Sequence, residues 1–176
     1  MNEGAYFVLA DREKCTGCRA CEVACFAAHR KAKPQTVGSV AVPLIPNLYL
    51  TRTERTRMPV QCHHCENAPC MQACLADALT RVDGAVMLKA GKCIGCRNCA
   101  LACPFGAIAI IGAEVQPGGG LAHKCDLCAG QGEQACVAAC PNKALRLVDT
   151  AEEVRSKRIR ASESLETFAD CAKGGR

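Results

Sequence analysis

The sequence predicts an α+β chain of short helices and hairpins built on repeated units, with a helical tail behind the last of them. Three observations lead there. Sixteen of the 17 cysteines fall into four quartets. Three of these quartets run into the same ending, CLADALTRV, CPFGAIAII and CPNKALRLV, each a helical turn with Ala four residues past the last cysteine and then an alternating strand. One such unit cannot bury its own contents and must pair with another. From Thr150 the composition shifts to charged, helix-favouring residues.

With 176 residues and 49% hydrophobic content, the chain has room for one or two small globular domains. Aromatics are only 3% and tryptophan is absent, so a core of Ala, Val, Leu and Cys needs something else to fill and fix it. The N-terminal stretch MNEGAYFVLADREKC shows no basic segment followed by an apolar run, and the longest apolar stretches are too short for a bilayer. A cytoplasmic location is expected, where so many thiols favour metal over disulfide. The net charge of +5 counts cysteine as neutral; metal-bound thiolates would reverse its sign. The 22 Lys and Arg are spread without an aromatic-interleaved patch, so no nucleic acid is expected.

Residues 5 to 14, AYFVLADREK, read as a short strand turning into the first quartet, Cys15, Cys18, Cys21 and Cys25. Cys21 to Lys31 has helix-forming composition. Ala32 to Gln61, with four prolines, reads as an arm lying over the core, its Leu48 to Thr56 stretch an exposed strand. The second quartet is Cys62, Cys65, Cys70 and Cys74, followed by a hairpin over Ala78 to Leu88 turned at Asp83 and Gly84. The third is Cys93, Cys96, Cys99 and Cys103. GAEVQPGGGLAHK then reads as a flexible loop before the fourth, Cys125, Cys128, Cys136 and Cys140, whose widened gap AGQGEQA is a surface excursion. In the tail, Val154, Ala161, Leu165, Phe168 and Ala172 form a faint stripe that only a partner would hold firmly.

The third quartet, KCIGCRNCALACPFGAI, carries the run CxxCxxCxxxCP of a cubane iron-sulfur site. Three close cysteines wrap one cluster while the fourth points onward to another, so one run demands a partner run. Gly17 and Gly95, each before a second cysteine, suit a tight turn that aims amides at sulfur. A zinc site wants two separated pairs, and the compressed quartets fit it poorly. No cysteine has the flanking base that a nucleophile needs. His63 and His64 sit inside the second quartet, which is complete without them; they read as neighbours of the cluster or as docking residues. His29 and His123 read as solitary, and Cys171 as a free thiol. Lys14, Lys92 and Lys124 each precede a first cysteine, where a cation would ease addition of an electron and where a plain surface lysine fits equally well.

In this order the four quartets resemble the four-cluster ferredoxin-like subunits of multi-subunit oxidoreductases, over about residues 6 to 149. Such subunits serve formate dehydrogenases and formate hydrogenlyase, carbon monoxide dehydrogenase and tungsten-dependent aldehyde oxidoreductase. The resemblance implies two interleaved bacterial-ferredoxin-like units. Residues 1–31 and 112–149 would form the outer unit, 32–61 the connecting arm, 62–111 the inner unit and 150–176 the tail. It also implies four [4Fe-4S] clusters, one held by Cys15, Cys18, Cys21 and Cys140, and its mate by Cys125, Cys128, Cys136 and Cys25. The inner pair would take Cys62, Cys65, Cys70 with Cys103, and Cys93, Cys96, Cys99 with Cys74. Phe26 and Leu75 depart from the proline that follows a fourth cysteine elsewhere.

The expected function is that of a non-catalytic electron-transfer subunit of an oxidoreductase complex. Its catalytic partner is expected to be a tungsten- or molybdenum-pterin enzyme acting on aldehyde or formate, with a flavin- or NAD-linked redox subunit as a further partner. The charged tail suggests assembly with further copies of the chain. The alternative is a free ferredoxin-like carrier or a maturation factor.

Overall fold

Long cysteine loops leave little backbone for regular structure, and the strands gather into four two-stranded antiparallel sheets. The computed structural model describes residues 5–30, 36–40, 42–112 and 120–173, the side chains of residue 37 and residues 167–173 excepted. The first strand, β1 (Tyr6–Ala10), pairs with the last, β8 (Leu145–Asp149), in a register running from Tyr6↔Asp149 to Ala10↔Leu145. Helix α1 (Ala20–Ala28) packs against α4 (Ala135–Ala138), so the first and fourth quartets meet although they lie at opposite ends of the sequence.

The hairpin β2 (Leu48–Arg52) and β3 (Arg57–Gln61) leans on this pair. Glu22 of α1 accepts a hydrogen bond from the Leu50 amide at 2.7 Å, and the buried Gln61 side chain donates to the Val8 carbonyl. Between the second and third quartets, β4 (Leu79–Val82) turns directly into β5 (Ala85–Leu88). Its two turn residues, Asp83 and Gly84, have φ of 47° and 77°, the left-handed pair whose twist matches the flanking strands. Helix α2 (Pro69–Gln72) packs against α3 (Asn98–Ala102), bringing those two quartets together. Strand β6 (Ala109–Ile111) pairs with β7 (Leu121–His123).

Two apolar cores result. One gathers Ala68, Leu79, Val86, Ile108 and Ala122 around Cys70 and Cys99; the other gathers Val8, Leu48 and Leu145 around Cys21, Cys25 and Cys136. Each core is built up to the cysteines themselves, which is why so few aromatics suffice.

Three expectations shift. The arm holds a hairpin where a lone strand over Leu48 to Thr56 was expected, because Arg57–Gln61 satisfies the strand's hydrogen bonds. The first helix stops at Ala28, three residues short of the expected Lys31, with the His29 amide closing the last turn on the Cys25 carbonyl. The end of the glycine-rich loop is strand: Leu121–His123 pairs with β6, while 113–119 lie outside the described residues.

The tail forms α5 (Thr150–Lys173). Its first turn is clasped, the Thr150 amide donating to the Ala5 carbonyl at 3.1 Å and the Ala5 amide to Thr150 Oγ1 at 3.2 Å. Arg146 adds an ion pair to Glu153 at 3.2 Å. Beyond it Val154, Ile159 and Leu165 are exposed, and the stripe residues Phe168 and Ala172 lie among the undescribed side chains. No described helix is long and apolar enough to cross a membrane.

Candidate metal centre

Two wells open among the cysteines. One is lined by Cys93, Cys96 and Cys99 together with Cys74 of the second quartet, under an apolar wall of Leu79, Leu88 and Ile110. The other is lined by Cys15, Cys18 and Cys21 together with Cys140 of the fourth quartet, under Leu50, Pro59 and Leu145. Among the remaining eight, burial pushes the thiols of Cys62, Cys70, Cys128 and Cys136 up, and Cys103 lies near enough to the first two, and Cys25 to the last two, to add to the rise. Cys65 and Cys125 sit in the loops that open the second and fourth quartets.

Local conformation explains the sequence repeats. The residue before each second cysteine is left-handed: Gly17 at φ 74°, His64 at 47°, Gly95 at 69° and Leu127 at 58°. In the second and fourth quartets that residue's amide points back at the first cysteine, donating to Cys62 Sγ and Cys125 Sγ at 3.4 Å each. The shared ending works similarly. A left-handed residue, Asp77, Gly106 or Lys143, reverses the chain so that the next amide, of Ala78, Ala107 or Ala144, donates to the fourth cysteine's sulfur at 3.2, 3.4 and 3.2 Å. Those alanines are 1%, 0% and 4% exposed, which leaves no space for a larger side chain. The first quartet lacks this ending, and Cys25 Sγ receives the Asn47 amide at 3.3 Å from the arm.

Burial raises most of the inner thiols: Cys21 and Cys70 to about 11, Cys136 to about 12, with Cys62, Cys99, Cys125 and Cys128 also above the ordinary thiol value. Thiolates in such places need a cation to hold them, and binding one must release protons. All sixteen quartet cysteines are free of disulfides, and soft thiolates with amide donors at sulfur fit an iron-sulfur group. The side chain of Cys171 lies outside the described residues.

The three lysines separate. Lys14 is exposed and paired with Asp11 at 3.6 Å, and Lys92 is exposed. Lys124 is only 5% exposed; its ammonium donates to the carbonyls of Val86 and Cys125, the latter at 2.5 Å, and its charge works against the burial that raises Cys62, Cys70 and Cys125.

The histidines are likewise distinct. His63 is sandwiched between Phe7 and Phe105, with centroids 4.8 and 4.0 Å away and rings within 12° of parallel. His64 is wholly buried, and its Nδ1 accepts the Val86 amide at 2.9 Å. Burial first, and the nearby Lys124 charge second, press His64 down to about 3, so the ring is neutral. His29 is not solitary as its sequence position suggests. Its Nε2 lies 2.8 Å from Asp126 Oδ1 and its Nδ1 2.7 Å from the Cys25 carbonyl, and Asp126 with Cys25 raises it to about 11. Both ring nitrogens therefore donate, and the pair ties α1 to the fourth cysteine loop. With the partners 97 positions apart in the chain, no local signal could have found it.

Residues 54–150, more than half of the chain, match the 4Fe-4S dicluster domain family. Formate hydrogenlyase subunit 2 of Escherichia coli (strain K12) is 37% identical over 195 residues, covering 93% of this chain and 92% of its own. The electron transport protein HydN of the same strain is 36% identical over 154 residues, 81% and 87% of the two chains. Two longer E. coli chains named for oxidoreductase activity, UacF and AegA, are each 41% identical, and the chain spans only 21% and 24% of their lengths. A structure of the active site complex BamBC of benzoyl coenzyme A reductase aligns over 96% of this chain and 97% of its own, with 24% identity and a TM-score of 0.43. The chain belongs to the 4Fe-4S dicluster family and is related to iron-sulfur electron transport proteins.

Proposed function

We propose that this chain relays single electrons to or from a catalytic oxidoreductase subunit through four [4Fe-4S] clusters. The observation that carries the reading is the pair of wells, each lined by three cysteines of one quartet and the fourth cysteine of another. We assign the outer clusters to Cys15, Cys18, Cys21 with Cys140 and to Cys125, Cys128, Cys136 with Cys25. The inner clusters are assigned to Cys62, Cys65, Cys70 with Cys103 and to Cys93, Cys96, Cys99 with Cys74. The bound clusters supply the one-electron chemistry. The chain's own residues do the rest. The amides of Ala78, Ala107, Ala144 and Asn47 donate to four of the ligand sulfurs and so favour negative charge there. The apolar walls exclude water. Lys124 places a buried cation beside cysteines of two of the assigned sets.

The partner we favour is a tungsten- or molybdenum-pterin enzyme acting on aldehyde or formate; the formate hydrogenlyase relative supports the formate side of that choice. Affinity purification from the native host, with metals measured and co-purifying chains identified, tests it. A pterin-metal subunit is expected; a chain that purifies alone and fully loaded would replace this reading with a free carrier. The exposed Val154, Ile159 and Leu165 of α5 support assembly with further copies of the chain, and unchanged stoichiometry after removal of residues 154–176 would dismiss that role.

A further inference from the structure

Of the sixteen quartet cysteines, Cys18 and Cys96 are the exposed ones, and they belong to the two wells. These wells share one local architecture, so position-by-position differences at their rims are informative. Where the Cys96 well has Ile94 and Ala76, the Cys18 well has Thr16 and Asn142. Ile94 at that well is 57% exposed, and Leu75, next to Cys74 in the chain, is 77% exposed. At the Cys18 well Asn142 hydrogen-bonds Thr16 at 3.1 Å, and the β2–β3 hairpin lays arginines beside the loop.

Arg52 and Arg57 stand directly opposite one another across that hairpin, an arrangement that costs stability unless something negative faces it. Both lie over the cysteine loop: a Cβ on Gly17 would sit 3.5 Å from Arg52 Nη2 and 3.6 Å from Arg57 Cδ. A groove beside them, lined by Arg12, Arg55 and Arg57 with Glu13 and Glu54, reaches Cys15. Lys14 and Arg19 are paired with Asp11 and Glu22, whereas Arg12, Arg52, Arg55 and Arg57 make no ion pair among the described residues. The cations outnumber the carboxylates, and four of them are free.

We propose that this arginine face is the docking surface for a small acidic one-electron carrier protein, which exchanges electrons at the Cys15, Cys18, Cys21 and Cys140 site. The inference rests on the relay reading above. Charge complementarity steers brief encounters and sets their rate, which suits a diffusing carrier. The exposed apolar Ile94 at the Cys96 well suits a lasting contact instead.

The test uses the full chain, loaded with iron and sulfide and reduced without air, mixed in stopped flow with oxidised flavodoxin, an acidic carrier, or with basic cytochrome c. In each encounter one electron leaves the chain and one enters the acceptor, the flavin taking a proton from solvent. Combined Arg52→Glu, Arg55→Glu and Arg57→Glu should slow flavodoxin reduction about tenfold or more at low salt, flatten its salt dependence and speed cytochrome c. Arg55→Glu alone, in the exposed turn, should act in the same direction by a few-fold and carries the test if the triple variant fails to fold. Flavodoxin rates unchanged by both variants, or lowered equally for both acceptors, would overturn the docking site while leaving a loaded, reducible relay. A chain that takes up no clusters would overturn the relay reading and the docking site with it.

Discussion

Replacing Lys124 with Gln removes a buried cation from between Cys62 and Cys70 on one side and Cys125 on the other. The size of the effect follows from its position. The ammonium donates to the Cys125 carbonyl at 2.5 Å, so it lies about two residues' reach, ~7 Å, from electron density on a cluster held by Cys125. At an effective dielectric of about 20, a unit charge at that distance is worth roughly 2.4 kcal/mol to an added electron. For a one-electron couple that is about 100 mV, taking 59 mV per tenfold change in equilibrium. Spreading of the electron over the cluster lowers this to about 50 to 100 mV. Removing the cation makes reduction harder, so the potential should fall. Potentiometric titration followed by EPR reads it directly, with Lys14→Gln and Lys92→Gln as controls; both are exposed and should move potentials by about a tenth as much. A shift for Lys124→Gln no larger than for these controls would refute the reasoning.

Asp126→Asn removes the carboxylate that His29 meets at 2.8 Å, and losing a charge-assisted hydrogen bond should cost about 1.5 to 3 kcal/mol. The expected result is earlier loss of the visible iron-sulfur absorbance in denaturant, with a smaller further loss on adding His29→Gln, which gives up the remaining bond to the Cys25 carbonyl. Gly17→Ala and Gly95→Ala force a side chain onto backbones at φ 74° and 69°, and each should cost about 1 to 2 kcal/mol by the same measurement. Lys143→Gly, at φ 49°, should be neutral or slightly stabilising, because glycine relieves the left-handed strain and pays it back in chain entropy. Cys140→Ser should perturb the site of the first quartet, and Cys136→Ser that of the fourth, a crossed outcome that EPR of each variant can read.

The 4Fe-4S family was legible because its cysteines repeat at fixed spacing, and so was the Asp83-Gly84 hairpin, whose turn needs only two local residues at positive φ. The shared ending after three quartets was visible as a pattern, but its cause was not. A left-handed residue and an alanine amide aimed at sulfur are facts of backbone conformation that letters alone do not display. Long-range partners were out of reach: Asn47 takes the place of the missing ending for Cys25, and Phe7, His63 and Phe105 stack from three separate segments. Lys14, Lys92 and Lys124 are equivalent in sequence, and only packing separates a buried cation from two surface ones. Strand β7 was hidden because the glycines before it dominate the local signal, while its strand character comes from pairing with β6.

Iron and acid-labile sulfide measured on the chain purified without air, with EPR after reduction, test the central claim most directly. The account predicts a brown protein with about sixteen irons per chain and the signals of interacting reduced cubanes. A colourless chain with few irons and no reducible signal would contradict it.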